Sequence, residues 1–78
     1  MEIKATDIVK SIRGRDLEHH YVVIGVERGY LNVADGKSKK INCPKRKNIK
    51  HVSFISHSEA KLTNDSICKV LKKYKNGD

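Results

Sequence analysis

The chain has few residues of several informative types, and each scarcity excludes a class of protein. Among its 78 residues there is no Trp, one Pro and two Cys. Cys43 and Cys68 lack the C-x-x-C spacing of zinc ribbons and thioredoxin-type sites, so we expect two reduced thiols. No stretch approaches the roughly 20 apolar residues of a membrane span, and the N-terminus has no apolar signal-peptide core. We therefore expect a cytoplasmic protein without a membrane partner, a bound metal or a cofactor.

Catalytic motifs are also missing from the sequence. It contains no G-x-S-x-G elbow, no paired carboxylates and no H-E-x-x-H motif. His19 and His20 are adjacent, so in a strand they would point to opposite faces and could not easily hold one metal ion. His51 and His57 are possible metal ligands without the usual ligand spacing. We expect no enzymatic activity.

Acidic residues are absent from one long stretch that is rich in cations. Lys and Arg number 17 against nine acids, which gives a formal charge of +8. Seven of these cations lie between Asp35 and Glu59, where there is no acid at all, whereas the first 35 residues are nearly neutral. This charge favours a polyanionic partner, nucleic acid before an anionic membrane surface. Because the excess is local, a binding surface explains it better than general solubility.

The pattern of apolar residues predicts a small β-protein in residues 1–56. The predicted strands are Asp7–Ile12, His20–Val26, Tyr30–Asp35, Lys37–Cys43 and Ile49–Ile55. Asp35-Gly36 predicts a type I′ hairpin, Pro44 either ends the fourth strand or marks a sheet edge, and "KRKN" is expected to be a basic turn. Five short strands with tight turns are typical of a small barrel or sandwich. The expected core is Ile8, Val22, Ile24, Val26, Leu31, Val33, Ile41 and Val52.

The apolar period changes in residues 57–78, which we interpret as a linker and an amphipathic helix. The spacing of one apolar stripe is i, i+3, i+4, i+7: Ile67, Val70, Leu71 and Tyr74. Thr63 or Asn64 can cap the start of the helix, and Asn76-Gly77 offers a stop. A helix of about three turns is marginal alone. We therefore expect the stripe to pack on the β-domain, or else on a protein partner.

Several motifs together resemble a known family. They are the strand "DIV", the "GRD" turn at Gly14, the strand "YVVIGV", the segment "ADGKSKKI" and the basic end "PKRKNIKHV". The segment from Thr6 to Phe54 resembles the KOW-type RNA-binding proteins. More narrowly, it is similar to small bacterial KOW proteins akin to an SH3-like barrel protein of the archaeal and eukaryotic large ribosomal subunit.

The resemblance implies a five-stranded SH3-like (KOW-type) barrel with a short C-terminal helix, which holds structured, commonly ribosomal, RNA without catalysis. One departure concerns the first loop. Where relatives usually read "GRDKG", this chain has Leu17 in place of the lysine and Glu18 in place of the second glycine. A contact with RNA through that loop is therefore less secure than one through the lysine-rich segment.

The cations of the acid-free stretch, with two arginines beside Gly14, are the candidate RNA-binding residues. Each cation that meets a phosphate releases a counterion, and arginine has a planar fork suited to phosphate. His51 could hydrogen-bond RNA or simply occupy a strand position. The candidate site is Arg13, Arg15, Lys37, Lys39, Lys40, Lys45, Arg46, Lys47, Lys50 and His51. The four aromatic residues form no RRM-like signature, so we expect recognition of shape and backbone more than of base sequence.

Three other interpretations stay open at this point. The lysine run could be only a solubilising sheet edge, because Lys on edge strands limits aggregation. The chain could be a protein-interaction adaptor, in transcription or ribosome assembly, that uses the barrel or the apolar helix stripe. It could also bind duplex DNA, since phosphate contacts alone scarcely distinguish the two duplexes.

Overall fold

A computed structural model describes residues 2–74, which form five strands, one α-helix and two short 3-10 turns. The strands are β1 (Ile8–Ser11), β2 (His20–Glu27), β3 (Tyr30–Ala34), β4 (Lys45–Asn48) and β5 (Val52–Ser56). The helix is α1 (Asn64–Leu71), and the 3-10 turns are Ile49–His51 and Lys72–Tyr74. The predicted mainly β fold with a C-terminal helix is therefore confirmed. The predicted stop at Asn76-Gly77 lies outside the described residues.

All five strands form one antiparallel sheet in the order β4-β3-β2-β1-β5. Ile8 lies opposite Val22, and Val23 lies opposite Val33, so the central strands align their apolar residues across the sheet. Bulges interrupt the register between Val23 and Gly25 and between Ile8 and Val9, and bulges bend strands. The fold is consistent with a small barrel, but the sheet is not closed, because β4 and β5 are its two edges.

The fourth strand is the main correction to the sequence prediction. Residues 37–43 form a loop, and "KRKN", which was expected to be a turn, is β4. The type I′ turn is also wrong, because it needs positive φ at both central residues and only Gly36 has it, at 82°. Instead, the Asp35 carboxylate accepts the backbone amides of Lys37 and Lys39 at 2.9 Å and stabilises a wider loop. A side chain that binds its own backbone in this way competes with strand pairing.

Both faces of the sheet carry apolar residues, since successive side chains of a strand point to opposite faces and the strands contain consecutive apolar residues. One cluster joins Val9, Tyr21, Val23, Leu31, Val33 and Val52. The other joins Ile8, Val22 and Ala34 to two helix residues, Ile67 and Leu71. Of the predicted core, Ile24 and Ile41 are only partly buried beside this second cluster, and Val26 is 49% exposed. Val26 follows a bulge near the end of β2, where no further layer covers it.

The helix packs on the sheet of its own chain. Ile67 and Leu71 are buried against β-residues, and Val70 and Tyr74 lie at the edge of that contact. Thr63 is the N-cap, since its hydroxyl accepts the amide of Ser66 at 3.2 Å. Half of the predicted apolar stripe is thus core, and its two buried residues, Ile67 and Leu71, are not available to a partner. The described residues include no helix with the length and apolarity needed to cross a membrane.

Candidate nucleic-acid interface

Asp16 organises the turn that follows β1. Its carboxylate accepts the Lys47 ammonium at 2.8 Å and the Tyr21 hydroxyl at 2.7 Å, and the Ser11 hydroxyl lies 2.9 Å away. Lys47 also donates to the carbonyl of Arg13 at 3.0 Å. The turn carrying Gly14, which has a φ of 90°, is thereby attached to β4.

The protonation of this cluster follows from its contacts. Burial of Asp16 favours a raised pKa, but hydrogen bonds from Lys47, Tyr21 and Ser11 outweigh that effect. The nearby Lys45 ammonium, 3.8 Å away, acts in the same direction, so the pKa of Asp16 lies well below its usual range. Burial and the hydrogen bond to Asp16 raise the pKa of Tyr21, which therefore stays protonated as a donor. At neutral pH the cluster therefore contains an ionised Asp16 carboxylate and a neutral Tyr21 phenol.

Asp35 organises the loop between β3 and β4 in a similar way. Burial favours a raised pKa for this carboxyl, but the two backbone amides that it accepts in its own loop lower the pKa. The imidazole of His19, with Nε2 2.8 Å from Oδ2 of Asp35, also lowers it, and the net pKa is below the ordinary value. Because His19 belongs to the β1–β2 loop, this contact joins the two loops at one rim of the sheet.

The structure divides the predicted cationic residues into two groups. The first group has acidic partners within the protein: Lys45 and Lys47 with Asp16, and Arg46 with Glu27 at 3.6 Å. Lys47 is also buried, with 8% of its side chain exposed. Lys47 is therefore a poor candidate for a phosphate contact, because its ammonium already donates hydrogen bonds to the Asp16 carboxylate and the Arg13 carbonyl oxygen.

The second group consists of cations that make no ion pair with any residue of 2–74. Arg13, Arg15, Lys37, Lys40 and Lys50 are exposed, and Lys39 is partly exposed. His51 lies in the 3-10 turn before β5 and not in a strand, and its carbonyl accepts the amide of Ile12 at 2.9 Å.

Four of the free cations lie on two loops at the same rim. Arg13 and Arg15 flank Gly14 in the β1–β2 loop, whereas Lys37 and Lys40 lie in the β3–β4 loop. In an antiparallel sheet the end of β1, the start of β2, the end of β3 and the start of β4 share one rim. We call Arg13, Arg15, Lys37 and Lys40 the rim cations.

The β3–β4 loop is also held against the helix. The Ile41 amide donates to the side-chain oxygen of Asn64 at 2.9 Å. A Cβ added to Gly36 would lie 2.4 Å from the Asn64 carbonyl oxygen and 2.8 Å from the Cys68 sulfur. The backbone of the loop that carries Lys37 and Lys40 is therefore held against the start of α1.

Sequence reasoning missed Asp16 and Asp35 as the residues that position the loops. The available signals were an acid two residues after Gly14 and an acid directly before Gly36, both typical of side chains that stabilise turns. Among the described residues no three His, Cys, Asp or Glu side chains gather into a possible metal site. No protein-family model matches the chain, and no curated protein matches it either.

Proposed function

We propose that this protein binds structured RNA, without catalysis, by contacting the phosphate backbone with the rim cations. The observation that carries the proposal is their lack of ion partners within residues 2–74, beside cations of β4 that are paired. A surface that served only solubility would not explain why unpaired cations lie at the rim while those of β4 form ion pairs. Unpaired cations on loops whose backbone is already ordered can exchange their counterions for phosphates without the further cost of ordering the loop.

RNA is favoured over other polyanions by the resemblance of residues 6–54 to KOW-type proteins, which also suggests a ribosomal or translational setting. Shape and backbone recognition suit the wide minor groove and the 2′-hydroxyl groups of an RNA helix. The adaptor interpretation is weaker, because Ile67 and Leu71 of the helix stripe are buried against the protein's own sheet.

The test is anisotropy binding to a structured ribosomal RNA fragment across a salt series, with duplex DNA of equal length as competitor. One variant changes the four rim cations to Ala. The matched control removes the same number of positive charges elsewhere, by changing four exposed lysines to Ala. These lysines lie in the linker, in α1 and in the 3-10 turn after it: Lys61, Lys69, Lys72 and Lys73.

We expect the rim variant to lose affinity and the slope of log K against log salt to become shallower by about 3, as for four lost phosphate contacts. The control should keep most of the wild-type slope. Equal losses in the two variants would mean generic charge attraction, and equal competition by DNA would reject RNA as the specific partner.

A further inference from the structure

A second surface lies on the exposed part of β3 and β4, away from the rim. The guanidinium carbon of Arg46 is 4.1 Å from the ring centre of Tyr30. The Arg46 side chain is 62% exposed, and Glu27 holds its Nε at 3.6 Å. The ring supports one side of the guanidinium plane, and the exposure of Arg46 leaves room for a ligand on the other side. Arginine planes and aromatic rings are the surfaces on which proteins stack unpaired bases.

Asn32 supplies a polar group beside this stack. It lies directly opposite Arg46 in the register of β3 and β4. Its side-chain amide forms no hydrogen bond with the residues that the structure describes, although Asn32 is only partly exposed. On its other side Asn32 faces Gly25 of β2, where an added Cβ would be 3.7 Å from the amide nitrogen. The absence of a side chain at Gly25 therefore lets the Asn32 amide lie close to the backbone of β2.

We propose that Tyr30, Arg46 and Asn32 form a subsite for one unpaired nucleobase of the bound RNA. The base would stack on the outer side of the Arg46 guanidinium, and the Asn32 amide would hydrogen-bond its edge. An amide presents one donor and one acceptor side by side, the pattern that adenine complements. This inference rests on the proposed RNA binding and adds a preference for a bulged or looped purine.

The proposed base subsite lies on the same face of the sheet as the β3–β4 loop, which carries Lys37 and Lys40. Tyr30, Asn32 and Ala34 alternate with the buried Leu31 and Val33, and Ala34 packs against the helix. The loop that follows Ala34 is seated on the same helix through Gly36. An RNA whose backbone meets Lys37 and Lys40 can therefore place a base farther along β4, at Arg46.

The experiment compares two RNA hairpins of equal length and charge, one fully paired and one with a single bulged 2-aminopurine. The test variant is Arg46→Lys, which keeps the charge and removes the plane. The control is Arg28→Lys, the same change at an exposed position in the β2–β3 turn. Tyr30→Leu is a second test variant, and its unfolding midpoint is measured to establish that it folds.

We expect the wild type to bind the bulged hairpin about tenfold more tightly than the paired one, in the range of a single stacked base. The 2-aminopurine fluorescence should rise in the complex, because the base leaves its stack with the neighbouring bases. Arg46→Lys and Tyr30→Leu should lose the preference and this rise while the salt slope stays unchanged, and Arg28→Lys should retain all three properties. Equal wild-type affinity for both hairpins, or a preference that survives Arg46→Lys, overturns the base subsite alone. No binding to either hairpin overturns the RNA proposal as well.

Discussion

The Lys47 ammonium lies 2.8 Å from Oδ1 of Asp16 and is largely buried, so this lysine stabilises the fold instead of facing a ligand. It joins β4 to the turn at Gly14 through Asp16, which lies 31 residues earlier in the chain. One short contact thereby determines where an edge strand lies and how the loop with Arg13 and Arg15 is presented.

Replacing Lys47 by Met should destabilise the protein by about 3 kcal/mol, because the Asp16 carboxylate would keep its charge and lose its cation. Urea unfolding measures this change. The control is Lys50→Met, which alters an exposed lysine and should change stability by less than about 0.5 kcal/mol. A similar small effect at Lys47 would contradict the structural role assigned to the pair.

The acid sensitivity of the fold should depend on Asp16 and Asp35. Both carboxyls have a lowered pKa in the folded protein, so the unfolded chain binds protons more readily. Their stabilising contribution is therefore present in full above about pH 4 and is lost as the pH falls through the folded values.

Urea midpoints measured from pH 7 to pH 3 check this prediction. The stability difference between wild type and Asp35→Asn should shrink as the pH falls below about 4. Glu59→Gln, a change at an exposed acid without an ion pair in residues 2–74, should give a curve parallel to the wild type. A difference between wild type and Asp35→Asn that is constant across the whole range would refute the assignment.

Replacing Gly36 by Ala should displace α1 from the sheet. The added Cβ would meet the Asn64 carbonyl oxygen and the Cys68 sulfur, in addition to the strain of a positive φ. Gly29→Ala is a matched control, since Gly29 also has positive φ, 71°, but no atom lies within 4 Å of its Cβ position.

We expect Gly29→Ala to lower the free energy of unfolding by about 1–2 kcal/mol, because Ala is strained in the left-handed backbone conformation. Gly36→Ala should lower it by a clearly larger amount. Thermal unfolding followed by circular dichroism measures both. Equal losses would show that the loop and the helix do not pack as closely as described.

Glu18 occupies a backbone conformation that favours glycine, with a φ of 73°. It corresponds to the second glycine of the "GRDKG" motif in the KOW-type proteins that the sequence resembles. Glu18→Gly should therefore raise the free energy of unfolding by about 0.5–1 kcal/mol, since the gain from relieved strain exceeds the added chain entropy. The control is Leu17→Gly, at a neighbouring exposed residue whose φ is not positive, and it should lower the free energy of unfolding. Urea unfolding curves of the two variants together test the conformation of the loop.

The sequence predicted most elements because their signals are local. The β-branched run predicted β2, and the apolar stripe with Ile67 and Leu71 predicted α1 and its buried side; the structure confirms both elements. Local signals did not predict the residue range of β4. "KSKKIN" and "KRKN" are both rich in lysine, and neither has an apolar alternation that would place one of them in the sheet.

The partners of single charged residues were also beyond the sequence. A lysine in a basic run has the same local pattern whether it faces solvent, as Lys37 does, or Asp16, as Lys47 does. Arg46 was predicted as one more phosphate contact, and only the pairing of β3 with β4 revealed that it stacks on Tyr30.

The amino-acid sequence by itself determined the class of fold, the presence of an amphipathic C-terminal helix and the excess of positive charge, because periodicity and composition are properties of neighbouring residues. Tertiary structure decided which cations form ion pairs with acids of the protein itself and decided that the helix packs on its own sheet. Both depend on contacts between residues far apart in the chain, such as Lys47 with Asp16 and His19 with Asp35, and on the burial that makes those contacts persist.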